Sequence, residues 1–138
     1  MSRYLLDSSA LWRVLRDKDT RDLWQSAAED GDIRSCHPQR AEFLRSARNL
    51  AEYDAMSEMF SQLYEDAAVP KTAGQWIESL QRRLAKAGAH RALSAVDLLV
   101  CATAAHHGLV VVHDDNDFVT AARCAVDLQH RPVGSGPF

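Results

Sequence analysis

The sequence Leu109-Val110-Val111-Val112-His113 decides the fold class of this chain. An unbroken run of apolar, mostly β-branched residues is typical of a parallel strand that is buried on both faces of its sheet. Gly108 precedes the run, and the acidic residues Asp114 and Asp115 follow it. Because helices must cover both faces of such a sheet, the run predicts an α/β protein.

Shorter segments supply the other predicted strands. Tyr4-Leu5-Leu6 ends at Asp7-Ser8-Ser9, where small polar residues suit a turn from a strand into a helix. The remaining predicted strands are, in chain order, Ile33–Cys36, Ala67–Pro70 and Ala125–Leu128.

Apolar residues at helical spacing fill the segments between these strands. The predicted helical segments are 10–28 with a break near 17–20, a hairpin over 39–64, 72–87, 94–107 and 116–124. This alternation predicts an α/β sandwich around a short, mainly parallel sheet. Ligands of such sheets bind beyond the carboxyl ends of the strands, which is where candidate site residues are to be sought.

Length and composition limit the possible classes. The chain has 138 residues, 46% hydrophobic and 25% charged, which fits a single domain over residues 1–138 with a loose tail from about residue 131. Its three cysteines are odd in number and form no C-x-x-C pair, which argues against a disulfide framework and a thiolate zinc site.

Charge and hydropathy limit the possible partners and the compartment of the protein. The net charge of −3 argues against a generally basic nucleic-acid coat, so any binding of RNA or DNA would use a local patch. No apolar stretch reaches the roughly 18 residues of a membrane span, and Met1–Asp7 lacks the regions of a signal peptide. We expect a soluble, cytoplasmic protein without a membrane partner.

Acidic residues follow two of the predicted strands. Asp7 comes after the first, and Asp114, Asp115 and Asp117 come after the strongest, while Glu42 and Asp97 fall near the starts of predicted helices. Carboxylates crowded at one sheet edge repel each other unless a cation neutralises them. Hard oxygen ligands favour Mg²⁺ or Mn²⁺, which activates water and stabilises phosphate charge.

Each acidic residue also has a purely structural interpretation. Asp7 suits a turn, Ser94-x-x-Asp97 matches a capping box, and Glu42 stands three residues before Arg45 as in a solvent-exposed ion pair. The segment 114–117 suits an ordinary acidic helix start, and His113 suits either a metal ligand or a buried, hydrogen-bonded side chain. The joint placement, rather than any single residue, favours a site.

Four ordered motifs carry a resemblance to a known family. They are Leu5-Leu6-Asp7-Ser8-Ser9-Ala10-Leu11, Arg40-Ala41-Glu42-Phe43-Leu44-Arg45-Ser46-Ala47, Ser94-Ala95-Val96-Asp97-Leu98-Leu99-Val100-Cys101-Ala102 and Val111-Val112-His113-Asp114-Asp115-Asn116-Asp117-Phe118. Their order and spacing resemble those of PIN-domain ribonucleases, and most of all the VapC toxins of bacterial toxin–antitoxin pairs. The resemblance spans residue 4 to about residue 128 and implies a PIN-like α/β/α sandwich.

The resemblance implies roles for individual residues. The implied catalytic quartet is Asp7, Glu42, Asp97 and Asp115. The implied metal-holding residues are Asp7, Asp97, Asp115 and the auxiliary Asp117, with Ser9 supporting the first aspartate. Asp114 falls at a variable position of the family and is left out of the quartet.

The implied activity is a toxin that cleaves RNA phosphodiesters through a metal-activated water, with Mg²⁺ as cofactor and Mn²⁺ able to substitute. The implied partners are a VapB-like antitoxin, the RNA substrate and a second toxin copy, as a homodimer or a hetero-oligomer. Whether the RNA is transfer, ribosomal or messenger RNA stays open, as does the number of metal ions.

A basic stretch and an apolar surplus accompany the motifs. Arg82, Arg83, Lys86 and Arg91 are candidates for RNA-backbone contacts, with a solvated helix face as the equal alternative. The segment 11–63 holds more apolar residues than one helix pair needs, so part of it is either partner surface or extra core.

Two other functions are weighed against the nuclease. A receiver-type phosphoacceptor domain needs an adjacent acidic pair after the first strand and a lysine after the last. Here Asp7 stands alone, and no lysine follows Lys86. A catalytically silent PIN-like binding module remains as the alternative, because acidic residues at all four motif positions do not by themselves demonstrate catalysis.

Overall fold

The computed structural model describes residues 2–138. Met1 lies outside the described residues. Two predictions include this residue, namely the single domain over 1–138 and the absence of a signal peptide. No helix within 2–138 is both long and apolar enough to cross a bilayer.

Five parallel strands form one sheet in the order β3-β2-β1-β4-β5. Their bounds are β1 Tyr4–Leu6, β2 Ile33–Ser35, β3 Glu65–Asp66, β4 Val110–His113 and β5 Gln129–Pro132. The strand predicted most strongly, β4, lies beside the first strand, β1, near the centre of the sheet. The prediction of an α/β fold with a mainly parallel sheet is confirmed, since all the pairings are parallel.

Seven helices surround the sheet within the described residues. Their bounds are α1 Ser8–Arg16, α2 Lys18–Glu29, α3 His37–Leu44, α4 Leu50–Leu63, α5 Ala73–Lys86, α6 Ala95–His107 and α7 Asn116–Cys124. Asp17 ends α1 and caps α2, so the predicted break in the first helical segment is a single residue. Gly108 ends α6 with a φ of 68°, a left-handed conformation that glycine adopts without strain.

The core consists of two apolar clusters on opposite faces of the sheet. Leu5 and Val111 pack with residues of α5, α6 and α7, whereas Leu6 and Val112 pack with residues of α1 to α4. Successive side chains of a strand point to opposite faces, so alternate residues of the same strand enter different clusters. This double burial explains why β4 is apolar at consecutive positions.

Two predicted strands are displaced. The third strand is Glu65–Asp66 rather than Ala67–Pro70, and the last is Gln129–Pro132 rather than Ala125–Leu128. Both are edge strands of the sheet, so their side chains need not be apolar. The apolar residues Ala67 and Leu128 are buried, but they lie beside the strands rather than in them.

The C-terminal segment differs from the loose tail that was expected from about residue 131. Val133–Ser135 forms a 3₁₀ turn, and Val133 is fully buried. The indole N–H of Trp24 donates to the Val133 carbonyl at 2.8 Å, and the hydroxyl of Tyr4 donates to the Pro137 carbonyl at 3.0 Å. These hydrogen bonds hold the segment in place, so the expectation of a loose tail was wrong. The donors lie far away in sequence, and local patterns could not reveal the contacts.

Candidate active site

Asp7 follows β1 directly and caps α1. Its backbone N–H donates to the carbonyl of Val112 at 3.0 Å, which joins the ends of β1 and β4. Its carboxylate accepts hydrogen bonds from the Ala10 N–H at 2.9 Å and from the Ser9 hydroxyl at 2.7 Å. Asp7 is only 6% exposed, and this burial raises its pKa from 3.8 to about 6 despite both hydrogen bonds. The charges of Asp97 and Asp115 raise the pKa further.

Asp97 lies in the first turn of α6, within the predicted capping box. The Ser94 hydroxyl accepts the Asp97 N–H at 3.1 Å, and the Asp97 carboxylate accepts the Ser94 N–H at 3.2 Å. Partial burial raises the pKa of Asp97, and the charges of Glu42 and Asp115 add to that rise. The carboxylate therefore serves as a cap while it also lies in the field of two other acids.

Asp115 and Asp117 begin α7 at the end of β4. Asp115 is the N-cap, and its carboxylate accepts the Asp117 N–H at 2.9 Å. Ser9 connects this turn to the first strand, because its hydroxyl donates to Asp7 and accepts the Asp114 N–H at 3.2 Å. Ser9 was expected to support Asp7. Its hydroxyl does contact Asp7, and it also connects the ends of β1 and β4.

Glu42 lies on α3, which contacts α6, the helix that carries Asp97. It is the sixth of eight helical residues, so it lies in the second turn of the helix and not at its start, where it was expected. Its charge raises the pKa of Asp97. No Glu42–Arg45 ion pair occurs within residues 2–138, so the alternative of a solvent-exposed pair does not describe this glutamate.

These carboxylates share one edge and lack cationic partners. Asp97 interacts electrostatically with Glu42 and with Asp115, and Asp7 with Asp97 and Asp115. In the part of the chain that the structure describes, none of these four has a basic side chain within salt-bridge distance. The edge therefore carries uncompensated negative charge.

The donor set suits a hard divalent cation, which prefers carboxylate oxygens. The caps of Asp97 and Asp115 each engage one carboxylate oxygen and leave the other without a hydrogen bond among residues 2–138. The same described residues contain no ready-made group of three or more His, Cys, Asp or Glu ligands. The oxygen atoms of this edge are of the type that binds a divalent cation. Their positions, however, are set mainly by the helix starts that they cap.

Asp114 differs from its neighbour Asp115. Its carboxylate accepts a hydrogen bond from the Arg13 guanidinium at 2.9 Å, and both side chains are partly exposed. Because this charge is already paired, Asp114 has less need of a metal ion than the acids around it. This arrangement agrees with its omission from the predicted quartet.

His113, weighed above as a metal ligand, is buried and hydrogen-bonded through both ring nitrogens. Nδ1 accepts the Asp115 N–H at 3.2 Å, and Nε2 lies 3.0 Å from Nδ1 of His130. Burial and the neighbouring His130 lower the pKa of His113. The structural interpretation therefore holds for His113. Its contact with His130 has no signal in the sequence.

Gln39 also helps to hold the end of β1, and no sequence pattern predicted this role. Its side-chain amide donates to the carbonyl of Leu6, and its carbonyl oxygen lies 3.4 Å from the backbone N–H of Cys36 that donates to it. Gln39 thereby ties the start of α3 to the residue before Asp7. A lone glutamine in a helix carries no sequence pattern that marks this role.

The predicted basic stretch is exposed. Arg82, Arg83 and Lys86 lie on the last turns of α5, and Arg91 lies in the segment that leads to α6. Within residues 2–138, none of these four forms an ion pair. Their charges remain available to an anion, and their contact with RNA stays a prediction.

The surplus of apolar residues divides into core and surface. Trp24 and Phe60 are buried, so they belong to the core of the protein. Exposed apolar side chains nevertheless remain on α1, α2 and α4, namely Leu15, Leu23, Leu50, Tyr53 and Leu63. The extra-core alternative therefore holds for part of the segment 11–63, and the partner surface stays a prediction.

Comparisons with known proteins all find similarity to PIN-domain ribonucleases. The PIN domain family matches residues 4–123. Ribonuclease VapC6 of Mycobacterium tuberculosis is 57% identical over 103 residues, which cover 75% of this chain and 81% of that protein. Ribonuclease VapC21 of the same species is 32% identical over 85% of this chain and 84% of its own length.

A structural comparison agrees on the fold. A chain from the crystal structure of VapBC2 of Rickettsia felis, bound to a DNA fragment from its promoter, superposes with a TM-score of 0.75. The match covers 94% of this chain and 97% of that one at 13% sequence identity, so it bears on the fold alone.

Proposed function

This chain belongs to the PIN domain family and to its VapC ribonucleases, and from that premise we propose that it is the toxin of a type II toxin–antitoxin pair. Its activity is that of a divalent-metal-dependent endoribonuclease. The observation that carries the proposal is the set of uncompensated carboxylates where β1 and β4 end and α3 and α6 approach.

The proposed catalytic residues are Asp7, Glu42, Asp97 and Asp115. Asp7, Asp97 and Asp115 would hold a divalent ion, with Asp117 as an auxiliary ligand. When bound, such an ion neutralises phosphate charge and lowers the pKa of water. Burial of Asp7 and Asp97 favours this role, because a cation relieves the cost of keeping their charges away from solvent.

The chain's own residues do the positioning. Ser9 fixes the Asp7 carboxylate and the turn after β4 through the same hydroxyl. Glu42, whose charge acts on Asp97, would orient water from another helix. Mg²⁺ is the proposed cofactor, and Mn²⁺ is expected to substitute, since both accept hard oxygen ligands.

The proposed substrate and partners follow from charge and exposure. Arg82, Arg83, Lys86 and Arg91 are proposed to bind the RNA backbone, which such side chains position without reading sequence. The exposed apolar residues of α1, α2 and α4 suit a VapB-like antitoxin and a second toxin copy. Membership of the VapC ribonucleases supports an antitoxin partner here. We propose a cytoplasmic location.

Cleavage of RNA by the purified chain tests the proposal. Separate reactions with transfer, ribosomal and messenger RNA contain Mg²⁺, Mn²⁺ or excess EDTA, and Asp97→Asn serves as the inactive variant. We expect cleavage with either ion, none in EDTA and none with Asp97→Asn. Equal cleavage in excess EDTA would overturn the metal dependence.

Expression in cells separates the toxin from a silent binding module. We expect induction of the wild-type chain alone to arrest growth, and Asp97→Asn to relieve the arrest at equal soluble protein. Co-expression of a small antitoxin encoded immediately upstream should also relieve it. Identical growth of wild type and variant, both folded, would favour the binding module instead.

A further inference from the structure

His113 closes the buried strand β4 and contacts the turn that carries Asp115. Its side chain is 2% exposed, and its ring lies on Phe118 with centroids 5.3 Å apart and planes inclined by 19°. Its Nδ1 accepts the backbone N–H of Asp115 at 3.2 Å. The orientation of this imidazole is therefore coupled to the backbone of Asp115.

The same hydrogen bond determines where the ring carries its proton. Because Nδ1 of His113 accepts a backbone N–H, the proton of the neutral ring is on Nε2. Nε2 lies 3.0 Å from Nδ1 of His130, so Nε2–H donates to it. The ring centroids are 5.2 Å apart, and with their nitrogens this close the rings meet edge to edge. His130 thus stabilises the tautomer that accepts the Asp115 N–H.

Two consecutive backbone amides of the turn are held by side chains. The Asp114 N–H donates to the Ser9 hydroxyl at 3.2 Å, and the Asp115 N–H donates to His113. One support comes from α1, and the other is braced by β5 through His130. The backbone from which the Asp115 carboxylate extends is therefore fixed from both sides.

We propose that His113 and His130 are positioning residues that hold Asp115 in place for the divalent ion, an inference that rests on the proposed function. Neither histidine contacts the ion or the RNA in this proposal. Both act through the Asp115 backbone, as groups that orient a ligand generally do. Loss of such support typically weakens metal binding by about 10- to 100-fold.

The test measures Mn²⁺ binding to the purified full-length chain by calorimetry without RNA. His113→Phe keeps a ring against Phe118 but removes both hydrogen bonds, so we expect Mn²⁺ affinity to fall about tenfold or more. His113→Asn restores an acceptor for the N–H two residues later, as asparagine does in turns, so we expect affinity within about threefold of wild type.

His130 gives an independent pair of variants. His130→Phe removes the acceptor for His113 Nε2–H, and we expect affinity to fall by about three- to tenfold. His130→Asn offers a side-chain oxygen in place of Nδ1 and should restore most of that loss. This pair decides the question if His113→Phe does not fold.

His106→Phe is the matched control, because His106 is exposed at the far end of α6 and lies outside the turn. Thermal unfolding in EDTA reports folding separately from metal binding. Wild-type affinity in folded His113→Phe and His130→Phe would overturn the inference alone, as would a loss in the asparagine variants equal to that in the phenylalanine variants. No Mn²⁺ binding by wild type would instead overturn the proposed function, and this inference with it.

Discussion

Two acidic regions of the sheet differ in how their charge is balanced. At the β2–β3 edge, Glu65 pairs with Arg34, and Asp66 pairs with Arg40. At the ends of β1 and β4, Asp7, Asp97 and Asp115 have no basic partner within residues 2–138. The first region is neutralised by the chain itself, and the second is not. The number of acids in a region therefore does not identify the proposed site, which differs from the first region in having acids without basic partners.

The largest expected difference between the two regions is in RNA cleavage. Asp97→Asn removes the negative charge but retains an oxygen that can accept the Ser94 N–H, so the capping box should survive. We expect cleavage to fall by about 10³-fold, since several kcal/mol of charge stabilisation are lost. Asp66→Asn, in the neutralised region, should cleave like wild type in the same assay. Equal losses in both variants would remove the distinction between the regions.

The second prediction concerns stability and pH. The pKa of Asp7 is about 6 in the folded protein against an ordinary 3.8, so the folded state binds this proton more tightly. The contribution of Asp7 to stability is thus most favourable below the ordinary value and declines as pH rises through 6. The decline amounts to about 3 kcal/mol.

Comparison with Asp7→Asn isolates this effect from other groups. Asparagine still caps α1 but does not titrate, so without metal the variant should gain on wild type as pH rises from 3.5 to 7, by up to about 3 kcal/mol. Chemical denaturation at several pH values in EDTA measures the difference. Asp66→Asn, whose acid is paired, should show no such gain. A constant difference between Asp7→Asn and wild type across this range would contradict the burial argument.

The third prediction concerns metal binding and stability. A ligand that binds only the folded state at 100 times its Kd stabilises by about 2.7 kcal/mol. We expect Mn²⁺ to raise the Tm of wild type accordingly and to raise that of Asp115→Asn much less. Asp66→Asn should respond like wild type. Equal Tm increases in all three proteins would show that the ion binds outside the acidic edge.

The contrast between the two regions was partly predictable from sequence. Asp7 and Asp115 follow strands whose apolar runs are long enough to recognise, so their common edge follows from parallel topology alone. The helix starts at Ser94 and Asn116 were predicted correctly, because capping residues and helical spacing are local signals.

Other features depend on contacts between distant segments. Gln129–Pro132 is polar, and its strand character comes from pairing with β4. The contact between His113 and His130 follows from that register, in which Val111 pairs with His130. The pairing of Asp114 with Arg13 likewise joins residues 101 positions apart. Local patterns carry no information on such pairings, so the sequence could not separate paired from unpaired acids.

The smallest expected effect distinguishes two adjacent residues. The side chains of Asp114 and Arg13 are 44% and 41% exposed, and such exposed pairs contribute about 1 kcal/mol or less. Asp114→Asn keeps the backbone N–H that donates to Ser9, so we expect a change in unfolding free energy below about 1 kcal/mol. Its RNA cleavage should be close to that of wild type, whereas Asp115→Asn should be inactive. Loss of cleavage in Asp114→Asn at unchanged stability would mean that pairing with arginine does not exclude an acid from the site.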